Sequence, residues 1–273
     1  MRTIADQVQT GGQSIRRALA VLRSLAESQR LGLRAAEVAV RVGLTRPTAH
    51  RILNQLVHEG LVEQRPESRR YVLGEQISML ALARPVKSAI LSAAEAELDS
   101  LREQIGDTLF LTVRTKLDTL CIARLLGAYP IQVLSIEVGA RRPLGVSSAG
   151  TALLAGLPEG QAGDIVERNE PRFASYRIEK RTVLQLIRAA RRDGFALRHV
   201  GIVPGTRSIS VAVADRGGSP VAALTVSAIA RRLPPRRELE LAELLRRSAS
   251  RIELNLRDQG PKISKAGKAV NTI

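Results

Sequence analysis

Apolar residues recur at helical spacing twice in the stretch from residue 35 to residue 56. Ala35, Val38, Ala39 and Val42 lie at i, i+3, i+4 and i+7, and Ala49, Ile52, Leu53 and Leu56 repeat that spacing. On a 3.6-residue period each set forms one apolar face. Gly43 and Leu44 are all that separates the two predicted helices. Thr45 takes the N-cap position of the second helix, with Arg46 and Pro47 in its first turn, where a missing proline N–H costs nothing. Gly60 ends it. Pro47, Arg51, Asn54, Gln55 and His58 fall on or near the side opposite the apolar stripe. A short helix, a tight glycine turn and a second helix with a polar outer face form the helix-turn-helix pattern. Residues 61–64 and 70–73 predict two short strands around the turn Arg65-Pro66-Glu67-Ser68-Arg69, and that hairpin would be a wing. An ordinary helical hairpin in a core has no use for Arg46, Arg51 and His58 outside, or for Arg65, Arg69 and Arg70 at a hairpin tip.

The rest of the chain is organised around this module. Residues 1–13 read as a loose leader. Ser14 is placed to cap a helix whose buried stripe is Ile15, Ala18, Leu19, Leu22 and Ala26. Residues 75–83 predict a linker helix (Ile77, Leu80, Ala81) broken at Pro85. A second amphipathic helix over 86–105 turns Ile90, Leu91, Ala94, Leu98, Leu101 and Ile105 inward and stops at Gly106. The period then changes from 3.6 to 2, predicting strands at 109–113, 120–123 and 133–136. Helices follow at 149–155, 159–167 and 183–192, the last closed by Gly194. Strands are predicted at 195–200, 208–214 and 221–227, the last two joined by Arg216-Gly217-Gly218. A charged helix over 235–255 closes the fold, and the basic tail after Gly260 reads as mobile. The expected class is α+β, with a central antiparallel sheet in the C-terminal part. The expected domains are 14–74, a linker helix at 75–85, and 86–258.

Charge narrows the partners. The 273 residues carry a net charge of +16, which calls for a polyanion. Eleven Arg against five Glu give residues 16–70 a net +6. Arg is the side chain suited to bidentate contacts with phosphate and guanine. Trp is absent and Tyr and Phe number three each, which leaves little for stacking single-stranded bases and favours double-stranded DNA. The leader has no hydrophobic signal core, no apolar run reaches membrane length, and Cys121 stands alone. A cytoplasmic protein with no membrane partner is expected. His50, His58 and His199 are not at metal-ligand spacing. Gly145-Val146-Ser147-Ser148-Ala149 lacks the last glycine of a nucleophile elbow, and no phosphate-cradling glycine loop is present. Neither a catalytic site, a metal nor a cofactor is expected. An enzyme with an appended DNA-binding module is weakened by that absence. A purely architectural DNA-binding protein has no need of an apolar domain longer than its DNA-binding part.

Several stretches resemble the IclR family of bacterial transcriptional regulators, in order and spacing over about 240 positions. They are SIRRALAVLRSLAE, LTRPTAHRILNQLVHEGLVEQ and RRYVLG in the first part. In the second they are RRPLGVSSAGTALLAGLP and DGFALRHVGIVPGTRSISVAVADRGGSPVAALTVS. The resemblance implies a winged helix-turn-helix, a linker helix and a GAF-like effector domain, assembled as a homodimer or a dimer of dimers. For DNA the expected contacts are Arg46, Thr48 and Arg51, supported by Thr45, His50 and Gln55, with Arg69 and Arg70 on phosphate or minor groove. For a small organic effector, a carboxylate or aromatic acid, the resemblance points to Ser148, Ala149, Ser208, Thr225 and Ser227, with Arg198 at a position often acidic in the family. Other departures fall in the same region. Thr151 stands where the family usually has Lys, Ser208 where Cys is common, and no His or Cys lies near Gly145.

Overall fold

The computed structural model describes residues 4–28, 31–82 and 89–258, and the chain divides into two compact units, 1–86 and 87–273. The expected break at Pro85 and the tail after Gly260 lie outside the described residues.

In the first unit, α1 (Ile4–Ser28), α2 (Ala35–Arg41) and α3 (Arg46–His58) precede a hairpin of β1 (Val62–Gln64) and β2 (Tyr71–Leu73), and α4 (Glu75–Leu82) follows. Helix α1 begins ten residues before Ser14, so Ser14 is an interior helical residue rather than a cap. Gly11 and Gly12 each cost only about 1 kcal/mol in a helix, too little to end it alone. Val21, Leu25, Val38, Leu53, Leu56, Val62 and Tyr71 close one core. The pairing of Leu33 with Tyr71 ties the chain before α2 to the hairpin. Between α2 and α3 the chain reverses at Gly43, whose φ of +63° is what a side chain would resist, since the space around it is open.

The second unit is a six-stranded antiparallel sheet in the order β5-β4-β3-β8-β7-β6. Its strands are β3 (Thr108–Thr115), β4 (Asp118–Leu125), β5 (Arg141–Pro143), β6 (Ala196–Arg198), β7 (Thr206–Ala214) and β8 (Pro220–Ile229). The period-2 pattern gives the sheet two different faces. Leu109, Leu111, Ile209, Val211, Leu224 and Val226 pack against α5 (Ala89–Ile105) and α9 (Pro235–Asp258). The alternate residues Phe110, Thr112, Ser208, Ser210, Thr225 and Ser227 face away, and α6 (Ser148–Ala155) packs on that side against β7 and β8. Helices α7 (Glu159–Phe173) and α8 (Lys180–Asp193) complete the layer.

Two elements differ from their sequence patterns. The strand expected at 133–136 does not form. Only Val133 of its apolar set is buried while Leu134 is 54% exposed, and Val133 N–H bonds the Thr108 hydroxyl instead of a ladder partner. The third strand is instead the three-residue β5, paired to β4 through Thr119 and Arg142. Helix α7 runs on past the expected end at 167, through Pro171 to Phe173. Buried Phe173 and Asn169, whose amide donates to the carbonyls of Leu117 and Leu144, hold that last turn in place.

Candidate functional site

Helix α3 turns Ala49, Leu53 and Leu56 into the core of the first unit and leaves the opposite face open. Arg46, Pro47, His50, Arg51, Asn54 and Gln55 there line a shallow concavity with Ala35 and Ala36 of α2. The polar groups on this face differ in what they still have to offer. Thr45 occupies the N-cap, but its hydroxyl meets that of Thr48 at 2.9 Å rather than capping a backbone N–H. His50 Nδ1 and the Asn54 amide are 3.3 Å apart, and the Gln55 amide donates to Glu59. Arg46 and Arg51 are exposed and have no hydrogen-bond or ionic partner among the described residues. These two guanidiniums therefore carry the unspent donors of the face.

The wing separates its cations. Arg69 is exposed at φ +54°, on the turn between β1 and β2. Arg70, by contrast, reaches back into the module. Its guanidinium donates to the Gly32 carbonyl at 2.9 Å and pairs with Glu37 at 3.2 Å. The sequence grouped Arg70 with the tip, yet the structure makes it a tie between the hairpin and α2. Glu37 also accepts the Arg34 backbone N–H at 2.7 Å. That bond, followed by the Arg70 charge, holds its carboxyl below the ordinary 4.5. A lowered folded-state pKa contributes stability that is present above the unfolded value and lost as pH falls through the folded one. Glu37→Gln is therefore expected to flatten the acid side of the module's melting curve below pH 4.5. Arg70→Ala removes both contacts of this tie and is expected to lower the melting temperature of the module by a few degrees. Differential scanning calorimetry of the full chain reads both.

In the second unit one cavity of about 40 Å³ lies between the hydroxyl face of the sheet and the start of α6. It gathers all six residues expected there, Ser148, Ala149, Arg198, Ser208, Thr225 and Ser227. The local fold explains how. The ladder sets Arg198, Ser208 and Ser227 side by side across β6, β7 and β8. Gly145, at φ +104°, turns the chain from β5 into α6, and a Cβ there would lie 2.8 Å from Val183. Ser147 caps α6 by accepting the Gly150 N–H, so Ser148 and Ala149 form its first turn at the cavity, where backbone N–H groups lack helical acceptors.

The hydroxyls form a chain. Ser208 meets Ser148 at 2.9 Å, Ser148 meets Ser210 at 2.8 Å, and Ser210 meets Thr225 at 2.7 Å. Four hydroxyl hydrogens serve three bonds, so one end of the chain keeps a donor. Arg198 supplies the charge. Its Nε reaches the Val200 carbonyl at 3.4 Å, while its Nη1 is buried and unpartnered. Burial pushes the guanidinium pKa below its ordinary value. Sequence reasoning missed Arg142, Thr112, Thr119 and Phe110, which also line the cavity. Arg142 sits at the head of the stretch RRPLGVSSAG, but which of its two arginines turns inward depends on the three-residue β5, which has no periodic signature. An anion is the ligand such a cavity suits. It offers hydroxyl donors, a helix N-terminus and buried guanidinium, and no acidic residue lines it.

Among the described residues no helix is long and apolar enough to cross a membrane. The IclR helix-turn-helix domain model matches residues 14–66, and the model of the C-terminal domain of bacterial transcriptional regulator IclR matches 85–254. The glycerol operon regulatory protein of Streptomyces griseus is 32% identical over 231 residues, which cover 82% of this chain and 87% of that protein. The crystal structure of an IclR regulator from Alicyclobacillus acidocaldarius matches with a TM-score of 0.73 at 22% identity, over 89% of this chain and 98% of its own. An IclR homolog from Microbacterium hydrocarbonoxydans, complexed with 4-hydroxybenzoate, matches with a TM-score of 0.68 at 24% identity, over 90% and 99%. At those identities the two structures speak for the fold alone. The two domain models, in this order along one chain, decide the assignment: the protein belongs to the IclR family of bacterial transcriptional regulators, which are DNA-binding proteins and not enzymes.

Proposed function

We propose that α3 reads operator DNA in the major groove and that a small carboxylate in the second unit controls that reading. Arg46 and Arg51 take base edges, Thr45, Thr48, His50 and Gln55 support them, and Arg69 takes backbone phosphate. Two copies of the chain, as a dimer or within a dimer of dimers, would read half-sites about 34 Å or a multiple apart. A bound acid can regulate only if it favours one arrangement of the DNA-binding pair over another, and α4, at the end of the first unit, is the last described element before the second.

The observation that carries the effector reading is the unpartnered Nη1 of Arg198 in a cavity walled by hydroxyls. A buried cationic donor without an acceptor is costly, and a carboxylate supplies both the charge and the acceptors. The 4-hydroxybenzoate of the Microbacterium hydrocarbonoxydans homolog is such an acid. The cavity here, at about 40 Å³, is small and suits an aliphatic acid.

A thermal-shift screen of the full chain against aliphatic and aromatic acids, each beside its neutral amide, tests the reading. A true effector stabilises by about 2.7 kcal/mol at a hundred times its Kd. Acids that shift no more than their amides would remove the anion from the cavity. For DNA, Arg69→Ala is expected to weaken binding to all duplexes alike and to reduce the salt slope by about one. Anisotropy titrations from 50 to about 200 mM salt measure it.

A further inference from the structure

Resting on that reading of the cavity, we infer that the ligand is a dicarboxylate, held by one guanidinium at each edge of the sheet. Arg198 lies on β6 and Arg142 on β5, the two outermost strands of the six, and both line the same cavity. The sheet therefore curls until its edges face a common space. Between them its floor is Thr112, Thr225, Ser227 and Ser208, which offer hydroxyls but no charge.

Most of the other half-buried arginines of this unit show what these two lack, Arg114 being the exception, since it donates to the Pro220 carbonyl and has no carboxylate partner among the described residues. Arg232 and Arg237 both pair with buried Asp107, Arg207 with Glu238 and Arg124 with Glu137. Arg142 and Arg198 have no carboxylate partner among the described residues. Arg142 donates to the Ser135 carbonyl, and Arg198 to that of Val200. Carbonyls satisfy a donor but neutralise no charge. Two uncompensated cations in one small cavity also repel each other. A single carboxylate relieves one of them, and a ligand with two relieves both. Burial depresses both guanidinium pKa values, as that deficit requires.

Calorimetry on the full chain, at fixed ionic strength, decides between one anionic end and two. The probes are the straight-chain diacids from malonate to adipate, each against its own monoamide. At one chain length the diacid is expected to bind at least about tenfold tighter than its monoamide, the order of one charged hydrogen bond. Arg142→Leu and Arg198→Leu should each abolish that discrimination. Their ligand-free melting temperatures should be no lower than that of the parent chain, because each removes an uncompensated buried charge. Diacid and monoamide binding equally at every length overturns the two-ended site while leaving the carboxylate reading standing. Discrimination that survives both leucine variants, or a clear loss of ligand-free stability in them, also overturns it. If neither diacids nor monoacids bind at all, the carboxylate reading falls with it.

Discussion

Arg51→Ala is expected to lower the affinity of the full chain for an operator selected from random duplexes by roughly ten- to a hundredfold. The figure follows from one good bidentate base contact, worth about 1–3 kcal/mol of discrimination. Arg51 lies one turn beyond Pro47 on the open face of α3, and nothing among the described residues occupies its guanidinium. Its neighbours on that face are already engaged, Gln55 with Glu59 and His50 with Asn54. No core residue changes, so the melting temperature should stay within about 2–4 °C, as for a surface substitution. Non-specific binding should weaken only by the loss of one cation, visible as a small change in salt slope. A gel-shift titration against the selected operator and a scrambled duplex separates the two effects. Unchanged operator affinity, or equal losses on both duplexes, would take Arg51 off the base edges.

Helices α3 and α5 were legible because burial and period agree in them, whereas α1 departs from its expected stripe, with Ile15 and Leu19 exposed and Val21 and Leu25 buried instead. Ala49, Leu53 and Leu56 are buried as the 3.6-residue spacing requires, and Leu98, Leu101 and Ile105 likewise. What was not legible depended on tertiary partners. The segment at 133–136 is as apolar as a strand, but with Thr108 taking the Val133 N–H it has no ladder to join. Arg70 reads like its neighbour Arg69, and only the position of Glu37, 33 residues earlier, turns it inward. The cavity shows the same division. The resemblance named four of its hydroxyls, Ser148, Ser208, Thr225 and Ser227, of which the last three share a face by alternation along β7 and β8. It passed over Arg142, whose placement depends on a strand of three residues. Local pattern was enough for faces, and long-range pairing was needed for charge.

That charge is the basis of the second large effect, Arg198→Glu. Binding of a carboxylate effector is expected to weaken by 1.5–3 kcal/mol or more, roughly a ten- to hundredfold rise in Kd. The lower figure is the loss of one charge-assisted hydrogen bond. The excess arises because the introduced carboxylate would repel the ligand in a cavity with few waters to screen it. The hydroxyl chain from Ser208 through Ser148 and Ser210 to Thr225 does not depend on the Arg198 side chain, so the cavity wall should persist. Arg198→Gln isolates the first contribution, since it keeps a donor and brings no negative charge. Its loss should be the smaller of the two. By linkage, an acid that binds more weakly shifts operator affinity only at correspondingly higher concentration, so both variants should need more acid than the parent chain for the same effect on DNA binding. Calorimetry of the full chain with the acid, followed by anisotropy on operator DNA, measures both consequences. If all three proteins bind the acid with one Kd, or if the preferred ligand is neutral, Arg198 lies outside the site and its buried nitrogen serves the fold alone.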